Sequence, residues 1–216
     1  MSYIEKYNRR LTTNGTSVTE AMINKSKLAH NRDFATSPSF YQVMIDGILV
    51  DTIINKTTNY DVKKIHFRNN VDAYVGGVVE FKDSKYLIME TDSDEIYTFA
   101  KMEKCNGTFS VQTGIEKVVI GRDPRGKPIY GETVTYSDQP CIIKSTYFSA
   151  NENDSLPLPE GKLNIFMKYQ IADNIKVNYQ FKMYDATYKI SDIRYSRVIN
   201  NVGVMEVSCE RVVNES

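Results

Sequence analysis

Two histidines (His30, His66), three cysteines (Cys105, Cys141, Cys209) and an acidic run (Asp92, Asp94, Glu95) are the raw material for any catalytic or metal centre in this chain. They do not assemble into a known pattern. There is no G-x-S-x-G elbow, no Ser-His-Asp order and no Cys-His pairing in a recognisable context. Neither a P-loop nor a glycine fingerprint after a strand is present. Gly76-Gly77 precedes a strand, so a turn or a close backbone approach is its expected use. The acidic run offers oxygens to Ca²⁺ but lacks the glycine and the distant bidentate glutamate of an EF-hand loop, so it reads as a solvated turn. The cysteines lie far apart, which is neither a disulfide framework nor a zinc motif, and they read as reduced core residues. His30 sits near a helix end, where a cation complements the dipole. His66 belongs to an alternating run, Ile65-His66-Phe67-Arg68. The expectation is a non-enzymatic protein with no metal and no cofactor.

Charge and aromatic residues carry more. Twenty-seven Lys plus Arg balance twenty-seven Asp plus Glu, which argues against a protein whose main task is to coat nucleic acid. Locally the charge is uneven. Arg122, Arg125 and Lys127 share a Pro/Gly-rich stretch, Gly121 to Pro128, which reads as an exposed loop suited to phosphates or to an acidic partner surface. Ser149 to Pro159 reads as an acidic loop carrying Glu152 and Asp154, a complement to the basic one. Arg9 and Arg10 lie on the first predicted helix and invite the same reading, contact with phosphates or docking on an acidic partner surface. The chain has fifteen Tyr, nine Phe and no Trp, and ten of the tyrosines fall at or after Tyr86. Tyr and Phe favour strands, and Tyr can set its hydroxyl at a wet boundary. Aromatic platforms for single-stranded nucleic acid normally come with a net basic face, which the composition lacks. A core-and-interface use of the tyrosines fits a neutral chain better.

The elements that must position these residues are mostly strands. Two capping patterns, Ser2 with Glu5 and Ser17 with Glu20, open two short helices. Asn14-Gly15 separates them, and a linker at Ala35 to Ser39 follows. The period then changes to two. Asp46-Gly47 between Phe40–Ile45 and Ile48–Ile54 is a strong hairpin signal, and Asn106-Gly107 is a second. A turn is expected at Asp83-Ser84-Lys85. Later strands are expected around Ile129–Tyr136, Ile142–Phe148, Leu163–Tyr169, Val177–Phe181, Tyr188–Ile193 and Val202–Cys209. Short strands with frequent turn signals predict a mainly β fold: two small antiparallel barrels or sandwiches in tandem, after an N-terminal helical segment. The expected divisions are 1–37, 38–115 and 116–216. A faint echo, Phe81-Lys82-Asp83 to Ile88 against Phe181-Lys182 to Ile190, fits two related units and fits equally well tight hairpins that converge on one Phe-Lys-turn-Tyr solution. The start, Met1-Ser2-Tyr3-Ile4-Glu5-Lys6, has no apolar h-region, and no apolar run reaches membrane-spanning length, so a cytosolic protein or one assembled in the cytosol is expected.

Several of these segments resemble one family. Val78-Glu80-Phe81, Tyr86-Leu87-Ile88-Met89-Glu90, Asp92, Ile96-Tyr97 and Met102-Glu103-Lys104-Cys105-Asn106 are similar to a pattern in neck proteins of tailed phages of Gram-positive bacteria. Lys162 to Tyr169, with Phe181 and Tyr188 to Ile193, is similar to their second β-unit. The likeness covers about half the chain and departs where Phe109 stands in place of a tryptophan. It implies a head-closure or head-to-tail connector: a homo-oligomeric ring in the virion neck, assembled in the host cytoplasm, between a portal or adaptor protein and the tail proteins. Such a ring lines or closes the DNA channel and touches packaged DNA non-specifically, with no membrane partner. A tail-completion or other tail-associated role is the neighbouring expectation, and an OB-like module for single-stranded nucleic acid is the expectation from another class.

Overall fold

Helix α1 (Tyr3–Leu11) begins where the Ser2 N–H donates to the Glu5 carboxylate at 2.7 Å, one half of the expected capping box. Helix α2 (Val18–Phe34) starts at Ser17, whose hydroxyl accepts from the Glu20 N–H at 3.1 Å. The Glu20 carboxylate reaches one residue further back, to the Thr16 N–H at 2.7 Å. The structure is a computed structural model that describes residues 2–68, 71–146 and 161–212. The chain divides into two compact units, Met1–Lys104 and Cys105–Ser216. The divide thus falls ahead of the 115/116 position read from the sequence, which lies within a strand of the second unit.

In the first unit six strands, β1 (Phe40–Ile45), β2 (Ile48–Lys56), β3 (Val62–Phe67), β4 (Val78–Phe81), β5 (Ser84–Ser93) and β6 (Thr98–Lys104), close a barrel in the order β1-β2-β3-β6-β5-β4. Closure comes from β4 returning to β1, with Ile45 opposite Val79. Inward positions carry Val43, Ile65, Phe67, Val79, Ile88, Ala100 and Met102, as the alternation of a half-buried strand requires. Asp46 and Gly47, both at positive φ, make the expected tight turn between β1 and β2. Helix α2 runs to Phe34, up to the expected linker, because the barrel gives its last turn something to bury against. Phe34 is buried, meets Phe40 edge-on, and lies under the Arg68 guanidinium at 4.9 Å, which in turn pairs with Asp51 at 3.1 Å.

The second unit has β7 (Gly107–Arg122), β8 (Pro128–Thr146), β9 (Lys162–Lys168), β10 (Gln180–Met183), β11 (Ala186–Ile199) and β12 (Val202–Arg211), in the order β10-β11-β12-β9-β8-β7. Read from β7, this is the strand order of the first unit repeated. Local details repeat too. Lys82-Asp83 and Tyr184-Asp185 are both positive-φ pairs in two-residue turns. The register slips between Ile88 and Glu90 in β5 and between Ile190 and Asp192 in β11. Gly76 and Asn178 both have positive φ and both donate a backbone N–H at 2.8 Å, to Ile88 and to Ile190. The chain is therefore two copies of one six-stranded design, and the expected mainly β architecture is present.

One difference matters. β7 and β10 do not pair, so the second sheet stays open where the first closes. Phe109 and Phe181 face each other edge-on across that seam, with ring centres 5.0 Å apart. The loop between β9 and β10 supplies Asn174, only 2% exposed, as a substitute for a strand. Its side-chain oxygen accepts from the Gln112 N–H at 2.9 Å and its amide donates to the Ser110 carbonyl at 2.7 Å. One side chain thus satisfies two groups on the free edge of β7, where an unpaired edge invites association.

Candidate functional site

Strand β7 and strand β8 pair along their whole length, but β8 meets β9 only from Cys141 to Thr146. Between Gln112 and Tyr136, from Thr113 to Thr135, the two strands pair only with each other, and they form a ribbon arm. The hairpin ends in a loop organised by Asp123. Its carboxylate accepts from the Arg125 N–H at 2.9 Å and the Lys127 N–H at 2.8 Å, and Gly126 takes positive φ at 79°. The sequence reading placed all of Gly121 to Pro128 outside regular structure. Gly121, Arg122 and Pro128 are instead strand residues, because the long pairing of β7 with β8 carries regular backbone to within one turn of the tip. Arg122, Arg125 and Lys127 are all exposed at that tip.

Opposed residues share a face of a ribbon. Ile115 opposite Val134 and Val119 opposite Tyr130 put four apolar side chains on one face of the arm. They are 55%, 38%, 50% and 60% exposed. Lys117 and Glu132 stand opposite one another between these pairs, the favourable sign for a cross-strand pair. A shorter ribbon is made by β11 and β12 beyond Val204, turning at Asn200-Asn201 and exposing Tyr195, Ile199 and Val202.

Other residues singled out in the sequence fall elsewhere. Arg9 and Arg10 are exposed in the last turn of α1, a helix that also leaves Tyr3, Ile4 and Tyr7 in solvent. Glu152 and Asp154, with the rest of the acidic stretch, lie outside the described residues. Asn106-Gly107 is not a hairpin turn. The Asn106 side chain accepts from the Ile143 N–H at 2.7 Å and donates to the Ile143 carbonyl at 2.8 Å, which holds the chain extended at the junction of β6 with β7. The tight turn expected at Asp83-Ser84-Lys85 is made by Lys82-Asp83, and Ser84 already pairs with Phe81. His30 lies inside α2 and not at its end. Its ring stacks on Tyr97 at 5.4 Å and meets Phe34 edge-on at 5.3 Å. His66 is near the same tyrosine, and burial, then Lys64 and His30, push its pKa below the ordinary value. In the acidic turn, the Asp94 carboxylate accepts from the Ile96 and Tyr97 amides at 2.7 and 2.8 Å. Cys141 and Cys209 are buried free thiols whose pKa burial pushes up to about 12. Among the described residues no group of three or more His, Cys, Asp or Glu is placed to hold a metal ion. No helix among them is long and apolar enough to cross a membrane.

The sequence reading missed one further feature. At the end of the first barrel where β1, β3 and β5 begin, a cleft of about 380 Å³ opens between strand ends. Tyr41, Tyr60, Phe81 and Tyr86 line it, together with Lys56, Lys63, Lys82 and Lys104. These residues are scattered over more than sixty positions. The legible signal was a lysine beside an aromatic at several strand ends.

The fold and its surface define a class: a β protein of two repeated six-stranded units, the first closed, the second open with a projecting ribbon arm. Residues 52–210 match the family described as the YomX C-terminal domain, and the chain belongs to that family. A curated relative is the SPbeta prophage-derived uncharacterized protein YomX of Bacillus subtilis (strain 168). It is 28% identical over 180 residues, covering 81% of this chain and 83% of that protein. No solved structure matches the chain.

Proposed function

We propose that the chain is a structural protein of phage origin that works by assembly and not by catalysis, forming a ring of identical subunits at the head–tail junction. The observation that carries the reading is the β7–β8 arm. A two-stranded ribbon is marginal in water by itself, and this one holds Ile115, Val119, Tyr130 and Val134 in solvent on one face. Seating such a face on a neighbour recovers about 1.5–3 kcal/mol for each large side chain that becomes fully buried. Closed rings need two complementary patches per subunit, and the arm supplies one, with a basic rim at Arg122, Arg125 and Lys127. The prophage origin named for the Bacillus relative supports a phage context, as does the resemblance of the strand motifs to neck proteins. In that setting the neighbours are a portal or adaptor protein on one side and tail proteins on the other.

The test shortens the arm, replacing residues 113–135 by Asn-Gly so that Gln112 and Tyr136 flank a two-residue turn. Light scattering across a concentration series and electron microscopy of particles then read assembly. The expected result is a folded chain that no longer self-associates and particles that lack a completed neck. A second variant, Arg122→Glu with Arg125→Glu, should weaken association while leaving the fold intact. Normal particles with the shortened arm would reject the reading. Gold label on the chain that decorates the tail instead of the neck would replace it by a tail-associated role.

A further inference from the structure

The cleft at the end of the first barrel has a chemistry that assembly does not require. Its eight named residues come from the start of β1, the end of β2, the loop before β3, the start of β3, the end of β4, the turn between β4 and β5, the start of β5 and the end of β6. Four are aromatic and four are lysines. The lysines stand close to the rings. The Lys82 ammonium is 5.2 Å from the centre of Tyr41 and 5.3 Å from that of Phe81. The Lys63 ammonium is 5.9 Å from the centre of Tyr60 and 5.8 Å from that of Tyr86. Tyr41 and Phe81 meet edge-on at 4.9 Å, which fixes a rigid wall. None of the residues lining the cleft is acidic. Four lysines thus gather at the cleft of a chain that is neutral overall, with Asp61 near enough to Tyr86 to help raise its pKa.

The repeated fold provides an internal control. Register places Gly107 of the second unit where Tyr41 stands in the first, Leu163 where Lys63 stands, and Ser145 where Lys56 stands. The matching turns put Met183 for Phe81 and Tyr184 for Lys82. Arg211 stands where Lys104 does, and Lys144 and Lys162 stand where Asn55 and Val62 do, so the second unit also gathers cations at this end; it has no ring at the positions of Tyr41 and Phe81 and no cation at those of Lys56, Lys63 and Lys82. Leu163 is buried, whereas Lys63 is half-buried and lines the cleft. Phe81 and Tyr86 are buried and Tyr41 is half-buried, so Tyr60, 87% exposed, is the ring with a free face, and beside the ammonium groups it suits a ligand with a flat π-face and an anionic group close to it.

We infer that this cleft binds a nucleotide unit with an unpaired base, the base stacking on Tyr60 and the phosphate meeting Lys63, Lys82 or Lys104. Stacking on tyrosine tolerates every base, and lysines neutralise phosphate as point charges. The volume suits a small ligand or one nucleotide of a strand. A base held in a duplex does not present its face, so single-stranded segments and free nucleotides are the two sources of this chemistry. The inference stands apart from the arm, which belongs to the other unit.

The test is fluorescence anisotropy of the full chain with a labelled twelve-nucleotide oligo(dT), from 50 to 200 mM salt, with unlabelled thymidine monophosphate, inorganic phosphate and a duplex as competitors. Salt-sensitive binding is expected, with a slope reduced by about 0.7 for each phosphate contact removed. Tyr60→Ala should weaken it about 5- to 150-fold, the stacking range for one base. Tyr60 is 87% exposed, so this variant cannot fail by unfolding. Lys63→Ala and Lys82→Ala should each weaken binding several-fold and flatten the salt dependence, whereas Lys176→Ala, an exposed lysine of the second unit, should change nothing. Oligonucleotide favoured over monophosphate assigns a single strand as the source, and equal competition per nucleotide assigns a free nucleotide. The inference is overturned by no binding at 50 mM salt, by equal competition from the duplex or from inorganic phosphate, or by binding indifferent to Tyr60→Ala and Lys63→Ala together.

Discussion

Replacing Asn174 by alanine isolates the device that holds the second unit open yet intact. The side chain is 2% exposed and bridges the free edge of β7, accepting from the Gln112 N–H at 2.9 Å and donating to the Ser110 carbonyl at 2.7 Å. In Asn174→Ala both backbone groups lose their partner while Phe109 and Phe181 still close over the seam. An unsatisfied buried group costs about 1–3 kcal/mol. Ser110 and Gln112 are not fully buried, so water recovers part of this, and the sum comes to about 2–3 kcal/mol. For a unit of this size that is a fall of about 8–12 °C in its melting transition. Asn174→Asp separates the two bonds: it keeps the acceptor for Gln112 but turns a second oxygen on the Ser110 carbonyl, so it should be destabilising at neutral pH and milder below the carboxylate pKa. Calorimetry reads the transition, and hydrogen exchange reads the Gln112 amide, which should lose protection in Asn174→Ala. A change within about 0.5 kcal/mol, the range of an ordinary surface substitution, with Gln112 still protected, would refute the bridging role.

The remaining expectations rest on single sites. Gly203 has φ +149°, and a Cβ there would lie 2.0 Å from the Arg197 carbonyl oxygen and 2.8 Å from the Val198 Cα; Gly203→Ala should lose about 2–3 kcal/mol in urea unfolding as the β11–β12 bulge is forced apart. Burial pushes the Cys141 and Cys209 thiols from 9.0 up to about 12. The unfolded chain therefore releases those protons first, and stability should fall as pH rises from about 9 towards 12. At pH 8 a disulfide reagent should label both only after unfolding. His66 is lowered from 6.5, chiefly by burial. The unfolded chain takes up a proton that the folded one resists, so the first unit should lose stability as pH drops below 6.5, and NMR titration of the ring should give a midpoint under that value.

Features set by neighbours in the chain were legible from residue order. Asp46-Gly47 makes its turn because both residues tolerate positive φ and the strands on either side alternate. The Ser17 cap, the strand class and the exposed tip at Arg125 and Lys127 follow in the same way. Asn106-Gly107 carries the same dipeptide signal and makes no turn, because Asn106 is held by Ile143, thirty-seven residues away. The β4–β5 turn uses Lys82 at positive φ, a choice imposed by the register of Phe81 with Ser84 and not by local preference. Closure is likewise beyond local reach: β4 pairs with β1 in one unit while the equivalent β10 and β7 stay apart, and a loop asparagine answers for the missing bonds. The arm became an arm only because β9 stops pairing with β8 at Cys141, which leaves Ile115, Val119, Tyr130 and Val134 uncovered. Composition and period determined that the chain folds as strands in two units. Which strand ends meet, and hence where four lysines and four aromatic rings converge, was decided by tertiary pairing between residues too distant for any local pattern to connect.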